Sequence, residues 1–382
     1  MTSKEQGRVL ITVVTVVLNA EKTIARTIES VLTQSYKNIE YIIIDGGSSD
    51  GTVDVIKRYR EMIAYFVSEP DDGIYDAMNK GIKKAHGDII GLLNADDWYE
   101  PNALSIVADE YDKGKQIVVG RTFVVDNHGN KRLFRQRDVS DLWIGMPDTH
   151  QAFFISKKVY DTYGLYDTKY RISADYELIL RMYHNEVAIY TLNKVFVNFS
   201  TGGLSLTENV RGTEEYKDII QKYKFFYPDK LDKIDRLCEE RIRNAKGVTI
   251  LLNPTTSSSF FRKFAYKKTN HISIWGAGLC GERLANFVKG SDMTIDFFVD
   301  SDPKKQNHFF CGADVKSSDE LKNYEGSVFI AVMDHDKEIA DRIAAMNNPK
   351  LTCVLFSDLL YAAAEYYDEF KRGNGSPVPL LS

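Results

Sequence analysis

The stretch GDIIGLLNADDWYEP, Gly87 to Pro101, runs an apolar segment, Ile89 to Leu93, directly into Asn94, Asp96 and Asp97. A short apolar run bounded by turn residues predicts a buried strand. Carboxylates where it stops then lie at the lip of a sheet. Ligands of open α/β folds bind just outside the carboxyl ends of the strands. One Asp would serve as cap for the helix that follows; two with an Asn exceed that need.

On either side of this stretch, strand and helix patterns alternate. VLITVVTVVLN reads as a strand, EKTIARTIESVLTQ as an amphipathic helix, and IEYIIIDGGSSDGT as a strand ending in a Gly/Ser turn. TVDVIKRYREM, IAYFVSEP and GIYDAMNKGIKKA continue the alternation. Such spacing predicts βαβ units and a mixed, mostly parallel sheet sandwiched by helices. QIVVGRTFVVDNHGNKRLFRQ predicts a hairpin, HQAFFIS a strand and ADYELILRMYHNE a helix. A second βαβ pattern starts at HISIWGAGLCGERL, so a smaller Rossmann-like domain is expected there. The reading divides the chain into 1–206, a helical and basic-aromatic linker 207–269, a domain 270–365 and a flexible tail 366–382.

The 382 residues suit two cores rather than one. With 49 basic and 54 acidic residues, a net charge of −5, wholesale nucleic-acid binding is not expected. Cys238, Cys280, Cys311 and Cys353 lie far apart and form no zinc or disulfide framework, which favours a reducing cytoplasm. Val9 to Leu18 is too short to span a bilayer.

Asn19, Asp45, the Asn94–Asp97 cluster and Asp175 each place polar groups at strand ends. Neighbouring carboxylates suit a hard cation such as Mg2+ or Mn2+, held by one or two acids together with substrate phosphates. The segments VVTVVLNAEKTIARTIESVLTQSYKNIEYIIIDGGSSDGT, EPDDGIYDAMNKGIKKAHGDIIGLLNADDWYEP and RISADYELILR resemble, in order, the inverting family-two glycosyltransferases with the GT-A fold. The resemblance implies a nucleotide-diphospho-sugar donor, UDP-linked, and transfer to a saccharide or lipid-linked saccharide acceptor in surface polysaccharide or glycan biosynthesis. It assigns donor binding to Val16, Leu18, Asn19, Asp45, Asn79, Asn94 and Asp96, and the metal to Asp96 with Asp97 as an extra carboxylate. Asp175 falls at the position of the family's base, which takes the acceptor proton during a single displacement; an N-cap role is compatible with it. His150, Glu177 and Gly202 are further candidates for acceptor or donor contact. Two departures stand out: Asn94 replaces an Asp, and Met78 stands where relatives often place a phosphate-binding Arg. They keep open a non-catalytic sugar-nucleotide-binding scaffold.

In the second half, Gly276, Gly278 and Gly281 form GxGxxG between a strand and a helix, and Asp300 ends the next strand at ribose-binding distance. Nucleotide binding and a purely structural or subunit-contact role both remain open there. Phe260, Phe261, Phe264 and Tyr266 interleaved with Arg262, Lys263, Lys267 and Lys268 suit either an anionic membrane face or packing between domains. A homo-oligomer is equally open.

Overall fold

The structure is a computed structural model. It describes residues 8–126, 129–201, 209–252, 260, 270–289, 291, 293–332 and 336–374. It contains two units: Met1–Leu206 with Glu214–Asp235, and Thr207–Thr213 with Arg236–Ser382.

In the first unit, β1 (Ile11–Val17) is buried at every position. A strand that is apolar on both faces needs cover on both sides, so it belongs at the centre of a sheet. β2 (Ile39–Asp45), β3 (Tyr65–Ser68) and β4 (Ile89–Asn94) join it in the parallel order β3-β2-β1-β4. The sheet goes on through β8 (Phe153–Ser156), β6 (Ile117–Val125), β9 (Ile189–Ser200) and β5 (Trp98–Tyr99), with β7 (Lys131–Leu133) hairpinned to β6. β8 runs antiparallel to both neighbours, which makes the sheet mixed. Register places Val16 between Ile44 and Asn94, and Asp45 between Val17 and Ser68. The polar ends of β1, β2 and β4 therefore share one edge, as the parallel pattern predicts.

Helices α1 (Ile24–Leu32), α2 (Thr52–Lys57), α3 (Ile74–Lys84), α4 (Ala103–Asp112), α5 (Lys157–Tyr163) and α6 (Ala174–His184) connect the strands. α1 buries Ile24, Thr27, Ile28 and Val31, one face of an amphipathic helix. α7 (Asn209–Tyr223) supplies Tyr216, whose ring stacks on Tyr176 of α6 at 4.9 Å between centroids. Glu215 accepts hydrogen bonds from the amides of Arg171, Ile172 and Ser173 at 2.9, 2.8 and 3.0 Å. The three amides leading into α6 are thus met by a carboxylate from α7.

The second unit holds α8 (Leu231–Leu252) from Arg236 onward and a six-stranded sheet. Its strands are β10 (His271–Trp275), β11 (Thr294–Val299), β12 (Phe309–Phe310), β13 (Ala313–Lys316), β14 (Gly326–Ile330) and β15 (Leu351–Leu355). The order is β12-β13-β11-β10-β14-β15, parallel except for β12. α9 (Leu279–Val288), α10 (Asp336–Ala344) and α11 (Phe356–Asn374) complete it.

Two expected boundaries shift. Residues 214–235, expected in a linker, belong to the first unit because Tyr216, Ile219 and Ile220 are buried there. The tail expected from 366 is helical to Asn374, with Tyr367 buried against the second core. Residues 127, 128, 202–208 and most of 253–269 lie outside the described residues, and with them Gly202 and the basic-aromatic run around Arg262.

The close approach of α3 to β1 is testable. A Cβ on Gly81 would lie 2.2 Å from Val14 Cγ1. Gly81→Ala is expected to destabilise the first unit by about 1–3 kcal/mol. Val14→Ala in the same chain should recover part of that loss in urea unfolding.

Candidate functional site

The turn after β4 carries the acidic cluster, and the residues around it fix its shape. From α1, Arg26 donates to the Asp96 carbonyl at 2.8 Å and lies flat over the Trp98 ring at 3.7 Å. Thr27 Oγ1 sits 2.9 Å from the Ala95 carbonyl and 2.7 Å from that of Asp97, its single proton serving one at a time. Ser200 Oγ, at the end of β9, donates to the Asp96 carbonyl at 2.7 Å.

Within this clamp the two carboxylates differ. Asp97 is fully buried; it accepts from the Ser200 amide at 2.8 Å and from Gln151 Nε2 at 2.6 Å. Each of its oxygens thus accepts one hydrogen bond inside the protein. Asp96 remains partly exposed, and no other residue among those described donates a hydrogen bond to its carboxylate. Burial pushes the Asp96 carboxyl above the usual range, opposed by the Arg26 charge. Burial pushes Asp97 up further, and the neighbouring Asp96 charge adds to it. Negative charge therefore settles on Asp96 first as pH rises. Asn94 Oδ1 is buried without a hydrogen-bond partner, the orphan acceptor of the turn.

No three His, Cys, Asp or Glu side chains gather into a ready metal cage among the described residues. One free carboxylate beside an orphan amide oxygen fits a cation that takes its other ligands from donor phosphates.

The second constellation reaches the first through neighbouring residues: Gln151 holds Asp97, and His150 lies beside Asp175, with Nδ1 3.6 Å from Oδ2. Asp175 sits in the first turn of α6 and accepts from its own helix at Tyr176 N, 2.8 Å. Tyr75 Oη lies 2.7 Å from the Ile172 carbonyl and 3.1 Å from Asp175 Oδ1. Burial lowers the His150 pKa, against the pull of Asp175, and raises that of Tyr75, which Asp175 reinforces. His150 Nε2 is buried without a partner. The structure thus brings His150 and Asp175 together and adds Tyr75 and Gln151, which no sequence signal singled out.

Other expected contacts resolve into supports. Asp45, fully buried, accepts from Ser48 Oγ at 2.5 Å, Ser68 Oγ at 2.6 Å and the amides of Gly47 and Ser48. Asn79 brackets the backbone of Tyr166 with bonds of 2.9 and 3.0 Å, and Tyr166 stacks on Tyr75 at 5.2 Å. Asn79 is thus linked to Asp175 through two tyrosines. Glu177 is held by Arg181, Nη2 to Oε2 at 2.9 Å, and by Tyr223. Asn19, at φ +50°, spends Oδ1 on the Ser49 amide at 2.8 Å. Val16 is buried in β1, whereas Leu18 is 59% exposed just past the strand end. Met78 is wholly buried core, and Lys80 pairs with Glu69 and Asp76.

In the second unit, Gly276 takes φ +115°, and a Cβ on Gly281 would fall 1.8 Å from the Gly276 carbonyl oxygen, so the loop needs these glycines. Gly278 starts α9 as its N-cap. Asp300 turns inward: Oδ2 accepts from the Ala277 amide at 2.9 Å and pairs with Lys305 at 3.1 Å. It braces the glycine loop.

The pattern of glycosyl transferase family 2 matches residues 12–167, and that of the C2185-like N-terminal family matches 268–351. A Mycobacterium tuberculosis protein named an uncharacterized glycosyltransferase is 35% identical over 179 residues, covering 45% of this chain and 68% of its own length. A PGL/p-HBAD biosynthesis glycosyltransferase of Mycobacterium bovis is 28% identical over 196 residues, 50% of this chain and 77% of its own. Among solved structures, S. aureus TarS 1-349 in complex with UDP aligns over 66% of this chain and 85% of its own, at 15% identity and a TM-score of 0.45.

Asp148 anchors the segment that carries His150 and Gln151. It accepts from Thr122 Oγ1 at 2.5 Å and the Thr149 amide at 2.9 Å, and burial pushes its carboxyl up to about 6. The folded chain then keeps a proton that the unfolded chain loses near the ordinary carboxylate range, so stability falls as pH rises toward about 6. Asp148→Asn should remove this part of the slope, a difference of about 3 kcal/mol at most across the window, read by urea unfolding at a series of pH values.

Proposed function

The chain belongs to glycosyl transferase family 2, and on that premise we propose that its first unit moves a sugar from a nucleotide-diphospho-sugar to an acceptor hydroxyl with inversion. The observation that carries the proposal is the pairing of a free carboxylate, Asp96, with an His150-flanked Asp175, joined through the adjacent residues Gln151 and His150. The scaffold alternative is not favoured, because the relatives carry the names of glycosyltransferases.

Asp96, with Asn94 Oδ1 beside it, would hold Mg2+ or Mn2+ against the donor diphosphate. When bound, the cation supplies charge neutralisation of the departing diphosphate. Leu18, exposed beyond β1, offers an apolar surface for the base, and the donor is expected to be UDP-linked. Asp175 takes the acceptor proton at its carboxylate as the new bond forms. Tyr75 lies against one oxygen of that carboxylate, and His150 faces the other. The second unit is read as a Rossmann-like module; its glycine loop, braced by Asp300, carries no step of this reaction.

Three substitutions separate these roles in an assay of UDP release with Mn2+. Asp175→Asn should cut turnover by roughly 10²–10⁴. Asp96→Asn should lower it by roughly 10²–10³ and raise the metal concentration needed. Asp97→Asn should stay within roughly tenfold of wild type, because the Gln151 amide can turn its unpartnered Oε1 toward the new NH2 group. Full turnover in Asp175→Asn would discard the base, and a loss in Asp97→Asn matching that of Asp96→Asn would return Asp97 to the metal.

A further inference from the structure

Large apolar side chains exposed singly need no explanation, but a cluster of them does. Phe225, Phe226 and Leu231 are 67%, 45% and 40% exposed and fall within seven residues of one another. They lie on and just after two short 3-10 turns, Lys224–Phe226 and Pro228–Lys230, that pack together at the end of α7.

The turns are held from beneath. His184 of α6 stacks on Phe226 at 3.9 Å and on Tyr223 at 5.4 Å, and its Nε2 lies 3.1 Å from Tyr227 Oη. Phe225 packs on Phe226 at 4.1 Å. With the inner side filled, the phenyl groups cannot fold inward, and their exposure is built into the turn.

The surrounding charge identifies the occupant. Residues 217–233 carry five lysines, at 217, 222, 224, 230 and 233, against aspartates at 218, 229 and 232, in a chain of net charge −5. Lys224, beside the two phenylalanines, has no ion-pair partner among the described residues. A second copy meeting this patch across a two-fold axis would set lysine against lysine. An anionic bilayer offers the complementary charge together with an apolar layer for the rings.

We propose that the Tyr223–Lys233 turn docks the first unit on an anionic membrane surface, with Phe225, Phe226 and Leu231 entering the headgroup boundary and lysines meeting lipid phosphates. This does not depend on the transfer reaction proposed above. It also assigns the contact to a different segment from the basic-aromatic run 257–268.

The test is co-sedimentation of the full chain with phosphatidylcholine vesicles, with and without phosphatidylglycerol. Binding is expected only with phosphatidylglycerol, and should weaken as salt rises. Phe225→Ser/Leu231→Ser should lower the partition coefficient about tenfold, and Lys224→Glu about fivefold or more, while the urea unfolding midpoint stays unchanged as proof of folding. The proposal is overturned if wild type ignores the anionic vesicles or the variants bind as wild type does. It is equally overturned if binding disappears only on replacing Arg262, Lys263, Lys267 and Lys268, or if the variants instead convert a dimer to a monomer.

Discussion

The first unit's ligand-facing edge depends on the buried carboxylate of Asp97. It joins three segments that are far apart in the chain: the turn after β4, the residues before β8 through Gln151, and the end of β9 through the Ser200 amide. A buried carboxylate needs donors to offset its desolvation, and here each donor comes from a different strand end. Removing either would leave charge or an amide unpaired in the core. The acidic turn is therefore held in one geometry before any ligand arrives, which is the form of preorganisation that an electrostatic site requires.

The same arrangement explains why two neighbouring acids do not compete. Desolvation and mutual repulsion favour a single negative charge on the pair, and the more open Asp96 takes it. Asp175 is prepared by different means. The segment leading into its helix is held by Glu215, Tyr75 lies against one of its oxygens, and Tyr75 in turn is stacked on a tyrosine whose backbone Asn79 holds. The two acids are thus held by separate sets of partners.

The sheet was readable from the chain because β-branched runs such as Ile11–Val17 and Ile39–Ile44 have few other places to go. The edge carrying Asn94 and Asp96 followed from parallel strands. Whether a carboxylate is free was not readable. Asp45, Asp97, Glu177 and Asp300 have the chemical type a site needs, yet each is consumed by partners, Ser48 and Ser68, Gln151, Arg181, and Ala277 with Lys305. Ser68, Gln151 and Ala277 reach their acids across 23, 54 and 23 residues, distances that no local pattern encodes, whereas Ser48, Arg181 and Lys305 are near neighbours in the chain. Tyr75 and Gln151 escaped notice for the converse reason: each looks like an ordinary core residue until the neighbouring element arrives.

Glu215 sets the limits of modularity. Strand β9 closes the sheet at Ser200, and a chain ending there would look whole by its strands. It would nevertheless lack the carboxylate that receives three consecutive amides just ahead of Asp175. Recombination that joined this sheet to a different downstream partner at residue 206 would leave the three amides leading into α6 without their acceptor. Exchange of the second unit is tolerated only if the piece through about residue 235 travels with the first.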